Sequence, residues 1–243
     1  MATLSLKSVS TSCLGVTPSL SVKRDVYGYI WGPIDRELSL RSHLQLIKDD
    51  AFNLCIFLVG HEPGFAGWWS QAETQSMQIA IDVMRSLYAQ AGVGVRRLFW
   101  RYIDTDEAAG YWSVDAGEAT DLTEDFTGPN DGIDVFFVKN VSDAGGWSNS
   151  DGPCDKDEKG ERTGAVLELR SDDCSSGGSL CTGILLAHEV GHYLTLKHAG
   201  NITNVMGDDS DGDGIGSIDN TSTELNNNQG NKMKASCFIR PSC

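Results

Sequence analysis

A chain of 243 residues with 40 % apolar content is long enough for one large domain or two small ones and apolar enough to close a core. Nineteen Lys plus Arg against 34 Asp plus Glu leave a net charge of −15, which excludes the basic footprint that a phosphate backbone or anionic lipid requires. The longest apolar run, residues 54–59, holds six residues against the ~18 of a membrane span. The start of the chain alternates Leu or Val with Ser, Thr and Lys, so neither a span nor a signal peptide is expected.

Residues 1–48 are Ser-rich and then mixed, and are expected to form an N-terminal extension or prosegment ahead of a single domain, residues 49–243. Within that domain the apolar run 51–60, closed by Pro63-Gly64, suits a buried strand. Met77, Ala80, Ile81, Met84, Leu87, Tyr88 and Ala91 then recur at helical steps over 71–91, with Gly92 as the stop. Val93–Ile103, Ile133–Val138 and 164–169 carry strand patterns, and a second helix is expected over 182–194. Residues 142–179 and 207–220 are rich in Gly, Asp, Ser and Asn and are expected to be mostly loop. Thr221-Ser222-Thr223-Glu224 has capping-box spacing, and Leu225, Gln229, Met233 and Cys237 step by four along a final helix. The order predicts an α/β (α+β) fold: a twisted mixed sheet, two long helices packed on it, and a small C-terminal subdomain ending in a helix.

His188-Glu189-Val190-Gly191-His192 carries the chemistry. Residues four apart on a helix share one face, so both imidazoles can reach one metal ion while Glu189 stands beside them. Zinc takes neutral imidazole nitrogen in tetrahedral geometry and keeps one position open in catalytic sites. His198 is the candidate third ligand. On a straight helix it would lie ~9 Å beyond His192, so the chain must leave the helix near Leu194 or Thr195 and fold back. Three of the five histidines thus fall in one eleven-residue window; His43 and His61 have no such company and are expected at the surface.

The run from His188 to His198 and the segment Asn204-Val205-Met206-Gly207 resemble the extended histidine motif and the Met-turn of the metzincin clan of zinc endopeptidases. The resemblance implies zinc on His188, His192 and His198, Glu189 as general base, and Met206 as the floor beneath the metal. It also implies an upper subdomain to about residue 198, a lower one over 199–243, and a peptide or protein substrate. Thr195 stands where the clan usually has Gly, in a turn that often needs positive φ, at a cost of ~1–2 kcal/mol for a β-branched residue. No Tyr follows Met206 at the position used by the astacin-like and serralysin-like branches, and Ala199 replaces the adamalysin-like Asp, so the residues name the clan and no subfamily; the pappalysin-like branch is put forward only as a guess. Cys13-Leu14-Gly15-Val16 resembles the cysteine-switch prosegment of matrix metallopeptidases, with Asp25 as an alternative blocking group.

Further expectations concern the surroundings. Strand 164–169 is expected as an edge that takes an extended substrate by strand addition, with Trp68, Trp69 and Trp147 as cleft or core residues. Asp209, Asp211 and Asp213, followed by Gly214, have the spacing of a calcium loop, although Asn220 replaces its bidentate Glu. Seven cysteines, five of them after Asn149, favour an oxidising, secreted setting, with Cys174–Cys181 and Cys237–Cys243 as candidate bridges and Cys55 as a buried hydrophobe. Asn140, Asn201 and Asn220 begin glycosylation triplets. Two rivals to the endopeptidase stand beside it: a gluzincin-type peptidase with Glu224 as third ligand, and a calcium-stabilised binding module without catalysis.

Overall fold

The computed structural model describes residues 50–60, 69–157, 160–169, 178–209 and 216–241. The strands among the described residues are β1 (Asp50–Val59), β2 (Val93–Ile103), β3 (Ser113–Val114), β4 (Ile133–Val138), β5 (Asn140–Val141), β6 (Gly146–Trp147) and β7 (Gly164–Glu168). The helices among the described residues are α1 (Gln71–Ala89), α2 (Ala116–Asp125), α3 (Gly178–Tyr193) and α4 (Asn227–Lys234). Five strands form one sheet in the order β2-β1-β4-β7-β6, parallel except for β6, and β3 pairs with β5 apart from it. This is the mixed α/β fold expected.

β1 is paired on both edges, by β2 and β4, and packed against helices on both faces, so its side chains run apolar with little alternation. Phe52, Leu54 and Ile56 face one core, shared with Met77, Ile81, Met84 and Tyr88 of α1 and with Ile184, Ala187 and Val190 of α3. Cys55, Phe57 and Val59 face a second core with Ala119 and Leu122 of α2. The expected arrangement had two helices on the sheet. α2 on the opposite face is a third, and its signal was the capping box Asp115-x-x-Glu118, which both backbone and side chains form. α1 has the same device, Ser70 with Glu73, and stops before Gly92 at φ 64°. α1 and α3 approach closely because Gly183 has no side chain: a Cβ there would lie 2.5 Å from Val83 Cβ.

Three expectations are corrected. The last helix is capped by Asn226 with Gln229, not by residues 221–224. Glu224 precedes that helix because its backbone is used in a bridge to Asn204, with Val205 donating to its carbonyl and its own N–H donating to Thr203. β7 is not an edge strand, since β4 and β6 take its two sides; the outer strand beside it is β6. Cys237 does not close the C-terminus on Cys243 but bridges to Cys154, 83 residues away in sequence. Cys181 is also disulfide-bonded, and Cys55 is free and buried as expected.

The segment between β6 and β7 is fixed from several directions. Lys156 is fully buried and its ammonium donates to Asp134 on β4 at 2.8 Å, while its backbone N–H donates to Asn130. Asp134 also accepts from the Gly128 N–H, so the buried charges are paired as burial demands. Trp69 is core, not cleft: its indole donates to the Val59 carbonyl and Lys139 lies over its ring. Trp147 packs at the edge of the second core under the Arg162 guanidinium. Cys13, Asp25, His43, His61, Trp68, Cys174, Asp211, Asp213 and Cys243 lie outside the described residues. No helix among the described residues is long and apolar enough to cross a membrane.

Candidate metal centre

α3 brings His188 and His192 to one face, as four-residue spacing requires. The helix then ends in a Schellman turn: the Thr195 N–H donates to the His192 carbonyl and the Leu196 N–H to the Gly191 carbonyl, with Thr195 at φ 75°. A β-branched residue thus occupies the left-handed position that usually falls to Gly, and its hydroxyl donates to the Lys232 carbonyl at the end of α4. This turn reverses the chain and returns His198 to the other two histidines. The Nε2 of His192 stands 3.1 Å from that of His188 and 3.0 Å from that of His198.

The other nitrogens explain the orientation. His188 Nδ1 lies 3.0 Å from the Val205 carbonyl and His192 Nδ1 lies 2.8 Å from the Leu196 carbonyl, with the Ser150 hydroxyl at 3.2 Å. A carbonyl only accepts, so each Nδ1 carries the proton and each Nε2 a lone pair. Burial, then the neighbouring His192, holds the His188 imidazolium down to about 3; burial holds His192 down to about 4. Neutral imidazoles with convergent lone pairs are a donor set for a soft-to-borderline cation. Two nitrogens of a tetrahedral zinc site, each ~2.05 Å from the ion, stand ~3.3 Å apart, close to the spacing here. His188, His192 and His198 are the three metal-capable side chains that come together among the described residues.

Met206 packs against the underside of α3 between the two helical histidines: a Cβ on Gly191 would lie 2.7 Å from its sulfur. Its turn is closed by the Gly207 N–H donating to the Asn204 carbonyl, with Gly207 at φ 66°, and by the Met206 N–H donating to the Asn204 side chain. Asn204 and Gln229 exchange a reciprocal pair of amide hydrogen bonds at 3.0 and 2.8 Å, so the residue that caps α4 also holds this turn. Gly216 lies on the other side of the triad, where a Cβ would fall 2.6 Å from His198 Nε2 and 3.0 Å from His188 Cε1. The space in front of the three nitrogens depends on that missing side chain.

Glu189 is 4 % exposed and lies against β6, where a Cβ on Gly146 would come within 2.9 Å of its Oε1. Burial pushes its carboxyl up to about 8, against the opposing charge of Arg162. Glu224 is elsewhere, accepting from the Thr203 hydroxyl at 2.7 Å, and is not among the groups gathered at the triad. Of the expected calcium residues, Asp209 is described and faces His198: its Oδ2 stands 3.7 Å from His198 Nδ1.

No family model matches the chain, and no curated protein matches it. Among solved structures it is similar to an archaemetzincin from Methanopyrus kandleri, with 13 % identity, a TM-score of 0.41, and coverage of 64 % of this chain and 80 % of that chain. It is similar to mature mirolysin of Tannerella forsythia in complex with a cleaved peptide, with 13 % identity, a TM-score of 0.47, and coverage of 76 % of this chain and 90 % of that one. It is also similar to metalloproteinase-II from Bacteroides fragilis, with 12 % identity and a TM-score of 0.47 over 77 % of this chain, which spans about half, 53 %, of that chain.

Proposed function

We propose that this chain is a zinc-dependent endopeptidase of the metzincin type, acting outside the cell on a protein or peptide substrate. The observation that carries the proposal is the convergence of three imidazole Nε2 atoms beside a buried carboxylate, that of Glu189. His188, His192 and His198 would hold the metal, and Met206 would form the floor beneath it. Zinc bound there supplies Lewis acidity, polarising a substrate carbonyl and making water a competent nucleophile near neutral pH.

Glu189 then has the general-base role. It is next to His188 in sequence but lies on the β6 side, against Gly146, and is not among the groups gathered at the triad. It accepts the proton of the attacking water and returns it to the leaving amine, a transfer that raises a rate by ~10²–10⁴-fold. Gly146 lets β6 lie directly on Glu189, so an extended substrate along that strand would present its backbone to the base. An exposed bridge between Cys154 and Cys237 supports the extracellular setting.

The test is cleavage of a mixed peptide library by the purified full chain. Activity should stop with a chelator and return with stoichiometric zinc. A protein that binds zinc through the triad and cleaves nothing would instead be a metal-binding module.

A further inference from the structure

Two of the three triad imidazoles are aimed by backbone carbonyls, from Val205 and Leu196. His198 differs. It lies beyond the end of α3, on a strap with no helix to orient its ring, and its side chain is 18 % exposed while His188 and His192 are buried. The polar group that faces its Nδ1 is a carboxylate, Asp209 Oδ2 at 3.7 Å.

That carboxylate is held in register with His198 by main-chain bonds one residue away. The Asp209 N–H donates to the Ala199 carbonyl at 3.2 Å, and Asp208 bridges both Ala199 and Gly200. Asp208 also exchanges a pair of backbone hydrogen bonds with Ser217, each 2.9 Å. The same small brace therefore carries Asp209 behind the His198 ring, on the Nδ1 side, and Gly216 in front of it, on the Nε2 side.

We infer that Asp209 is a positioning residue of the metal centre. It selects the Nδ1–H tautomer of His198 and fixes the ring plane, which leaves the Nε2 lone pair pointed at the ion. At 3.7 Å the contact is an ion-pair distance and not a hydrogen bond. Loss of a carboxylate partner behind a ligating imidazole typically weakens metal binding by ~10–100-fold. Asp209, first expected in a calcium loop, is thereby assigned to the zinc side of the turn. The inference rests on the triad being a metal site.

The experiment measures zinc affinity by competition with a chromophoric chelator, in the full chain, for the wild type and for Asp209→Ala, Asp209→Asn and Asp209→Glu. Nitrogen-15 NMR reads the His198 tautomer in the zinc-loaded samples, and thermal unfolding checks that each variant is folded. Asp209→Ala should lose ~10–100-fold in affinity and Asp209→Asn less, Asp209→Glu should recover most of it, and the His198 Nδ1 proton signal should broaden or vanish only without the carboxylate. Affinity of folded Asp209→Ala and Asp209→Asn within twofold of wild type would overturn the inference while leaving the metal site standing. A wild type that binds no zinc would overturn the metal site itself, and the inference with it.

Discussion

Glu189 separates the two jobs that a carboxylate can do beside a metal. In the proposed role of general base it is dispensable for binding, so Glu189→Gln should keep one equivalent of zinc and lose ~10²–10⁴-fold in kcat, whereas His192→Ala should lose the metal; atomic absorption alongside peptide cleavage reads both. Its raised pKa also gives the metal-free protein a signed pH dependence. A carboxyl near 8 in the folded chain and near its ordinary value unfolded keeps its proton only when folded, so stability falls as pH rises from about 4.5 through about 8. Metal-free Glu189→Gln should therefore unfold at a higher temperature than wild type at pH 9 and at the same temperature near pH 4. An equal difference at both would mean that Glu189 ionises freely in the folded chain. Gly216→Ala offers a steric counterpart: a methyl 2.6 Å from His198 Nε2 should expel the metal without unfolding the chain, seen as zinc loss at an unchanged melting temperature of the metal-free protein. The histidines and Glu189 were legible because helical spacing is fixed by covalent geometry. The neighbourhood of Asp209 and Gly216 was not, because it depends on where a loop after the Met206 turn is folded back.

At the scale of elements, the turn after α3 decides whether His198 reaches the site. Thr195 at φ 75° pays the left-handed penalty of ~1–2 kcal/mol, partly offset by its 3.3 Å bond to Lys232. Glycine there would remove the strain but add ~0.4–1 kcal/mol of unfolded-state entropy. Thr195→Gly should accordingly change stability by no more than ~1 kcal/mol in the favourable direction and keep zinc affinity, as urea unfolding and chelator competition would show; a large loss would mean that the hydroxyl, not the backbone, holds the turn. Val93–Ile103 and Ile133–Val138 match their expected bounds, because long apolar strands leave a strong pattern. α2 was missed since it is short and buries few residues, chiefly Ala119 and Leu122. The misplaced cap before α4 shows that a capping-box spacing is local, while the bridge from Glu224 to Asn204 that overrides it is not.

For the whole molecule, the bridge from Cys154 to Cys237 ties the segment after β6 to the end of α4. That segment donates from Asp151 and Gly152 to the His192 and Tyr193 carbonyls, and Tyr193 donates back to Pro153. The bridge thus stands behind the last turn of α3, which carries His192. Cys154→Ser with Cys237→Ser should cost ~2–5 kcal/mol in urea unfolding and weaken zinc binding together with it. Unchanged affinity in the folded double variant would detach the bridge from the site. By itself the sequence determined the α/β class, the strands of the core and the helical face that His188 and His192 share, since periodicity and i, i+4 spacing are properties of a few adjacent residues. Tertiary structure alone decided which cysteine meets Cys237, that β7 is enclosed by β6, and that Asp209 faces His198. Each of these depends on contacts between segments far apart in the chain, whose distance in space is set by the packing of the whole core.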